Sequence, residues 1–187
     1  MSNVQICLQR PIVKCSNNTG GVDVQPTNLE VDGDPIFLKR RIILLAHREG
    51  VLQALEEMAH DGIITGVISR TWATPIVIAI KSDGKTPRIC GYYRLTLNPR
   101  LRKCAATTMK LEEFMKALHG STCSSKIDLA DAYLQIPLAS ACRQFTTVNI
   151  PWRLYQYNFL PFGLHTCSGI FQAVIDEVIR GLDGMLS

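Results

Sequence analysis

Apolar residues recur at the three- and four-residue spacing of an α-helix in three parts of the chain. These parts are residues 47–62, 110–120 and 168–182. In the first, Val51, Leu55 and Met58 fall on one face, and Gly62 stands where a helix C-terminus favours glycine. The apolar stripes of the other two comprise Leu111, Phe114, Met115 and Leu118, and then Ile170, Val174, Val178 and Leu182. The pattern predicts one amphipathic helix over each part.

Short runs of β-branched and aromatic residues predict strands between the helices. The run PIVIAI (75–80) is followed by the turn sequence SDGK, after which RICGYY (88–93) can return as a hairpin partner. Further strand candidates are 123–128, 133–138, 144–150 and 153–159. Because helices and strands mix without a regular β-α-β alternation, we expect an α+β fold with a largely antiparallel sheet and packed helices.

The first 34 residues show no sustained period and contain the turn-forming sequences NNTGG and DGD. We therefore expect a leader or linker at 1–34. No apolar run approaches the roughly 18–20 residues that span a bilayer. The N-terminus also lacks the apolar core of a signal peptide. These features predict an intracellular protein, in cytoplasm or nucleus, without a membrane partner.

The seven cysteines are odd in number, widely spaced and free of any C-x-x-C pair. This pattern argues against a disulfide framework and a zinc ribbon, and it favours reduced, mostly buried thiols. Cys167 is a candidate nucleophile with His165 or His119 as its base. However, His165 stands only two residues away, which is too local for a preorganised pair.

Positive charge is concentrated in the middle of the chain. The net charge is +4, yet the first 34 residues hold two basic and four acidic side chains. Between Lys81 and Lys103 there are seven basic residues and one acid, Asp83, with Tyr92 and Tyr93 among them. Basic residues interleaved with aromatics suit a polyanion with stackable bases, that is, nucleic acid. The alternative is a solvated basic face.

Two aspartates interrupt the strand-like stretch SKIDLADAYLQIPL (125–138). Buried carboxylates are costly unless they are paired or bound to a metal, and an aspartate at a strand end is a good ligand for a hard cation. Asp128 and Asp131 are therefore candidate metal ligands. In the alternative interpretation, Asp131 caps a helical turn and Asp128 pairs with Lys126 or with an arginine.

Three segments in a fixed order carry a family resemblance: residues 72–98, 125–138 and 157–172. Together they resemble the reverse transcriptases of LTR retrotransposons, particularly the gypsy type, and their retroviral relatives. The resemblance covers roughly 35–187. It implies a right-hand RNA-directed DNA polymerase, with a fingers-like region at 35–120 and a partial palm at 121–187.

The same resemblance implies roles for individual residues. Asp128 matches the first catalytic aspartate, which binds two Mg²⁺ ions in the intact enzyme, and the Leu129 carbonyl would be a further metal ligand. Tyr133 matches the residue beneath the incoming sugar. The remaining matches are Lys81 and Arg88 at the nucleotide phosphates, the Asp131–Ala132 backbone at the triphosphate, Phe162 and Gly163 beside the nucleotide, and Gln172 under the template.

The implied partners are an RNA or DNA template-primer and deoxynucleoside triphosphates. In a full Pol polyprotein, RNase H, integrase and protease domains are expected as well. The family's Tyr-x-Asp-Asp motif is missing from the 187 residues, and Asp176, Glu177 and Asp183 do not supply it. We therefore expect a chain truncated before that motif, which does not polymerise alone. The alternative is a non-catalytic nucleic-acid-binding remnant of a decayed retroelement.

Overall fold

The computed structural model describes residues 24–80, 86–103, 111–182 and 184–186. Four helices are present in these ranges: α1 (Leu45–His60), α2 (Leu111–Leu118), α3 (Ser140–Arg143) and α4 (Cys167–Ile179). Five strands accompany them: β1 (Ile64–Val67), β2 (Thr74–Ile80), β3 (Pro87–Gly91), β4 (Val148–Asn149) and β5 (Leu154–Tyr157). Short 3₁₀ turns span Tyr93–Leu95, Asn98–Arg100, Ala132–Gln135 and Gln144–Thr146.

The strands form one sheet in the order β1-β5-β4-β2-β3. Every neighbouring pair is antiparallel except β2 and β4, which run parallel with Thr74 opposite Val148. β2 and β3 form the hairpin that the sequence predicts, with Val77 opposite Cys90. The expectation of an α+β fold with a largely antiparallel sheet is confirmed.

The core lies between the sheet and the buried face of α1. Val51 and Leu55 of that helix are fully buried, as their spacing predicts. Tyr93 and Tyr157 are also fully buried, and each hydroxyl donates to a backbone carbonyl, that of Thr146 at 2.9 Å and that of Ile89 at 3.4 Å. These bonds satisfy polar groups whose burial would otherwise be costly. Burial raises the pKa of both tyrosines above its ordinary value.

Two of the predicted strands take other forms, and a third is shorter than predicted. Residues 123–128 are exposed and form no strand. Within 133–138 the chain forms a 3₁₀ turn. In 144–150 only Val148–Asn149 forms a strand (β4), and Gln144–Thr146 form a 3₁₀ turn. The hydroxyls of Thr146 and Thr147 donate back to the carbonyls of Arg143 and Gln144 at 2.7 and 2.6 Å and favour the turn over a longer strand.

Two of the predicted apolar stripes are only partly covered. In α2, Phe114 is 36% exposed and Met115 60% exposed. In α4, Ile170 and Val174 pack against the core, whereas Val178 is exposed. The periodicity therefore located both helices correctly but overstated the burial of their stripes. No helix among the described residues is long and apolar enough to cross a membrane.

Residues 24–38 lie along the body of the protein. Thr27 bridges Leu138 in parallel, and Val31 bridges Leu101 in antiparallel fashion. Leu29 is buried, and its N–H donates to the Cys142 sulfur at 3.2 Å. The described part of the segment predicted as a leader is thus packed against the core.

Candidate active site

The candidate site is assembled from three segments that are distant in sequence. Strand alternation on β3 turns Ile89 into the core and leaves Arg88 exposed. The Arg88 guanidinium carbon lies 5.3 Å from the centre of the Phe162 ring, within the range of a cation–π contact. The contact joins β3 to the LPFG segment (residues 160–163).

Tyr133 completes this cluster from the turn that follows Asp131. Its ring centre lies 5.2 Å from that of Phe162, with the planes tilted by 49°. The ring of Phe171, on the first turns of α4, lies 5.7 Å from Tyr133 at 71°. Edge-to-face and tilted pairs at these separations are favourable. Tyr133 is thereby held between the LPFG loop and α4, while remaining half-exposed.

Gly163 allows the LPFG loop to approach β3 closely. Its φ is +101°, and a Cβ built there would lie 2.7 Å from the carbonyl oxygen of Gly91. Only glycine fits such a conformation and contact without strain. The Asn98 amide holds the loop from the other side, since its Nδ2 donates to the Gly163 carbonyl at 2.9 Å and its Oδ1 accepts from the His165 N–H at 3.2 Å.

Asp131 adopts a left-handed conformation, with φ +46° and ψ +42°. It stands at the start of the Ala132–Gln135 turn but makes no side-chain capping bond there. The turn is held instead by the Leu134 N–H, which donates to the Asp131 carbonyl at 2.8 Å, and by Gln135 Nε2, which donates to the Ala130 carbonyl at 2.8 Å. The interpretation of Asp131 as a capping side chain is therefore wrong.

Asp128 and Leu129 lie on the exposed stretch before this turn. Among the described residues, Asp128 forms no ion pair with Lys126 or with an arginine, so that alternative is also wrong. No group of three histidine, cysteine, aspartate or glutamate side chains comes together in the described ranges. The Asp128 carboxylate and the Leu129 carbonyl are suitable oxygen donors for Mg²⁺. By themselves they are too few to complete its coordination.

The other predicted residues are placed as follows. Gln172 is half-buried on α4 beside Phe171, and its Nε2 donates to Asp176 Oδ1 at 2.9 Å. Lys81 lies outside the described residues, immediately after β2. The structure therefore brings together Arg88, Tyr133, Phe162 and Gly163. Gln172 directly follows Phe171, which contacts Tyr133, on α4.

Sequence reasoning missed two contributors to the site, Asn98 and Phe171, and one further contact, the cation–π pair of Arg41 and Tyr92. Asn98 and Phe171 both belong to the segments that carry the family resemblance, but their roles depend on backbone and ring contacts that spacing does not reveal. Arg41 lies with its guanidinium 4.4 Å from the centre of the Tyr92 ring. The FLKRR segment and GYYR supply this pair, so basic residues near aromatic ones were the available signal.

Cys167 is unsuited to act as a nucleophile. It is buried at the start of α4, and its Sγ donates to the Pro161 carbonyl at 3.1 Å. Burial raises the pKa of its thiol to about 12, so that the thiolate is scarce near neutral pH. The environment of Cys167 argues against a cysteine hydrolase.

Comparison with known proteins gives a family match. The family described as "Reverse transcriptase (RNA-dependent DNA polymerase)" matches residues 90–186. The Caenorhabditis elegans protein "Uncharacterized protein K02A2.6" is 29% identical over 157 residues, which is 83% of this chain and 12% of that protein. The Schizosaccharomyces pombe "Transposon Tf2-3 polyprotein" is 23% identical over 133 residues, 70% of this chain and 10% of the polyprotein. The chain thus spans about a tenth of the length of these relatives.

A solved structure shares the fold. The foamy viral protease-reverse transcriptase in complex with an RNA/DNA hybrid superposes with a TM-score of 0.73. The match covers 100% of this chain and 26% of the viral one at 17% sequence identity. At that identity the likeness concerns the fold alone.

Proposed function

Because the chain belongs to the reverse transcriptase (RNA-dependent DNA polymerase) family, we propose that it is the nucleotide-selecting part of an RNA-directed DNA polymerase within a retroelement polyprotein. Residues 35–120 form the fingers-like region and residues 121–187 the beginning of the palm. The substrates are deoxynucleoside triphosphates and an RNA or DNA template-primer. The transposon polyprotein among the relatives supports this assignment.

The observation that carries the proposal is the contact chain Arg88–Phe162–Tyr133. Three segments far apart in sequence converge on one exposed surface, with ring contacts of 5.2 and 5.3 Å. The Arg88 guanidinium offers several donors in a fixed plane, which suits phosphate oxygens. Tyr133 offers a ring face for the sugar. This combination fits a nucleotide with its phosphates toward β3.

The Asp131–Ala132 backbone supports the same placement. A left-handed residue followed by a right-handed turn directs successive N–H groups toward one side and forms a small anion-binding concavity. The position of this turn directly before Tyr133 agrees with triphosphate binding there. Lys81 would add a second cation, and Gln172 would lie under the template.

Two Mg²⁺ ions, when bound, supply charge neutralisation for nucleotidyl transfer. Asp128 and the Leu129 carbonyl are the residues of this chain that would hold them. Since these groups do not complete a metal site, the 187-residue polypeptide by itself should not extend a primer. Primer extension by the purified polypeptide on an RNA template would contradict this.

A non-catalytic role in nucleic-acid binding is the second candidate. It is favoured by the same incomplete donor set, because the described residues bring no third metal-binding side chain to Asp128. It differs from the first in one measurable respect. A remnant would retain oligonucleotide binding but would not discriminate a deoxynucleoside triphosphate from its ribonucleotide counterpart.

The test is equilibrium binding of a fluorescent deoxyadenosine triphosphate to the 187-residue polypeptide. Arg88→Gln should weaken binding at least fivefold, and Tyr133→Ala should reduce the preference for deoxy- over ribonucleotide. Arg180→Gln removes an equal charge from an exposed position after α4 and serves as the control. If Arg88→Gln and Arg180→Gln weaken binding equally, the site assignment is wrong.

A further inference from the structure

Strand β1 forms one edge of the sheet and lacks the features that usually protect an edge. The sheet order places β1 at one end and β3 at the other. Charged residues and proline on an edge strand discourage pairing with another chain. β3 begins with Pro87 and continues with the exposed Arg88, whereas the segment IITGVIS (63–69), which contains β1, has neither a charge nor a proline. β1 is therefore open to pairing with a further strand.

The backbone groups that β1 offers at this edge follow from its pairing with β5. The Asn158 N–H donates to the Ile63 carbonyl at 2.9 Å, and the antiparallel register continues from there along β1. Hydrogen-bonded and non-bonded pairs alternate in such a ladder, so every second residue after Ile63 bonds to β5. Ile64 and Gly66 then direct their N–H and C=O groups toward the open edge. A second strand can exchange hydrogen bonds with both residues.

This edge is complementary to a second copy of itself in antiparallel orientation. With Thr65 of both copies on a twofold axis, Ile64 of each copy lies opposite Gly66 of the other, and each such pair can exchange both N–H···O bonds. Thr65 meets Thr65 of the second copy, and Val67 meets Ile63. Threonine pairs and packed apolar pairs stabilise neighbouring strands. The segment 63–67 therefore pairs with itself without a mismatched contact.

Opposite charges stand at the two ends of the same edge. Asp61 and Glu57 are exposed at its beginning. Arg70 follows its end, and the exposed Arg153 side chain lies across Gly66, where an added Cβ would approach its Cδ and Nη1 to 3.0 Å. Within the described part of the chain, none of these four charged residues forms an ion pair. Antiparallel pairing brings the acidic end of each copy to the basic end of the other, whereas parallel pairing would bring like charges together.

Ile68 adds an apolar reason for the edge to be covered. It directly follows β1 and is fully exposed. In the antiparallel register centred on Thr65, Ile68 lies opposite Gly62 of the second copy, where no side chain stands in its way. Covering an exposed aliphatic side chain favours association, because apolar area is removed from water.

We propose that two copies of this chain associate through β1 in antiparallel orientation and form one continuous sheet across a twofold axis. The contact is isologous, since the same residues of both copies form it. β3 and Arg88 lie at the opposite edge of each sheet, so the dimer leaves the candidate active site open. The proposal therefore does not rest on the proposed function. Because the shared edge is short, the dimer should be weak and its population should depend on chain concentration.

Sedimentation equilibrium of the 187-residue polypeptide over roughly a hundredfold range of chain concentration should show monomer and dimer and no larger species. Gly66→Pro should abolish the dimer, because it removes an N–H that faces the second copy and that β5 does not use. Proline is tolerated on an edge strand at such a position. Thr65→Lys should weaken the dimer about fivefold, since it places like charges opposite each other at the axis. It provides the test if circular dichroism shows that Gly66→Pro does not fold.

A charge exchange tests the antiparallel register. Asp61→Lys alone and Arg70→Glu alone should each weaken self-association about tenfold, because each replaces an attraction by a repulsion at both ends of the interface. An equimolar mixture of the two variants should form a heterodimer with close to the parent affinity, since both ends then pair opposite charges again. Glu112→Lys and Arg180→Glu make the same charge changes at exposed positions on α2 and after α4, and they should leave self-association unchanged.

Four results would overturn the proposal. The first is a monomer at every concentration, and the second is a dimer that persists in both Gly66→Pro and Thr65→Lys. The third is a mixture of Asp61→Lys and Arg70→Glu that associates no more tightly than either variant alone. The fourth is a ladder of larger species, which would indicate open pairing of β1 with β3 instead of a closed twofold contact.

Discussion

Replacement of Gly163 by alanine tests how the LPFG loop is positioned. The new side chain would have to adopt φ near +101° and would meet the Gly91 carbonyl oxygen at 2.7 Å. A left-handed conformation costs an L-residue about 1–2 kcal/mol. Relief of the contact by a backbone shift adds about 1–3 kcal/mol. For a folded unit of this size, a total of about 2–5 kcal/mol corresponds to a melting temperature lower by roughly 4–20 °C.

The assay is thermal unfolding followed by far-ultraviolet circular dichroism, with nucleotide affinity as a second measurement. Gly62→Ala is the matched control, since Gly62 has φ +71° but a Cβ there would meet nothing within 4 Å. The control reports conformational strain alone, so Gly163→Ala should melt several degrees below it and bind nucleotide more weakly. Equal melting temperatures would refute the idea that the loop's contact with Gly91 requires glycine.

Three further outcomes follow from the packing. Leu29→Ala should lower the free energy of unfolding in urea by about 2–4 kcal/mol, because Leu29 is buried against the core. A loss below about 0.5 kcal/mol would mean that residues 24–38 add little stability. Asn98→Ala should cost about 1 kcal/mol and weaken nucleotide binding, since two hydrogen bonds to the LPFG loop are lost; unchanged affinity would remove Asn98 from the site. Iodoacetamide at pH 8 should label the exposed Cys123 but not the buried Cys167, and rapid labelling of Cys167 in the native protein would contradict its burial. The free energy of unfolding should fall as pH rises from about 9 toward 12. The reason is that the Cys167 pKa is raised in the folded state, so the unfolded chain loses this proton first.

Periodicity predicted the elements whose partners lie nearby in sequence. The hairpin of β2 and β3 and the helix α1 were both located correctly, because β-branched runs and three- to four-residue spacing report local burial directly. Residues 133–135 and 144–146 were predicted to lie within strands and instead form 3₁₀ turns. Their side-chain and backbone hydrogen bonds compete with strand pairing, and composition alone does not reveal that competition.

The candidate site was predicted in part for a different reason. Arg88, Tyr133 and Phe162 were identified through the family resemblance, and the structure brings them into contact. Asn98 was missed because it acts by bonding the backbone of residues more than sixty positions away. Nothing in its immediate sequence marks that role. Lys81 stays a prediction, since it lies outside the described residues.

A strained backbone conformation, that of Asp131, lies beside the Arg88–Phe162–Tyr133 contacts of the candidate site. Among the described residues, Asp131 is the one non-glycine with positive φ, at a cost of about 1–2 kcal/mol. The Asp131 side chain makes no capping hydrogen bond that would offset this cost. Gly163 has no side chain that could pack in the core. Both residues instead set the backbone on either side of the Tyr133–Phe162 ring pair. Such strain persists only where the surrounding structure maintains it, and it is concentrated at functional sites. The conformation of Asp131 therefore supports the proposal that this surface holds a ligand, and the guanidinium of Arg88 beside it favours an anionic one.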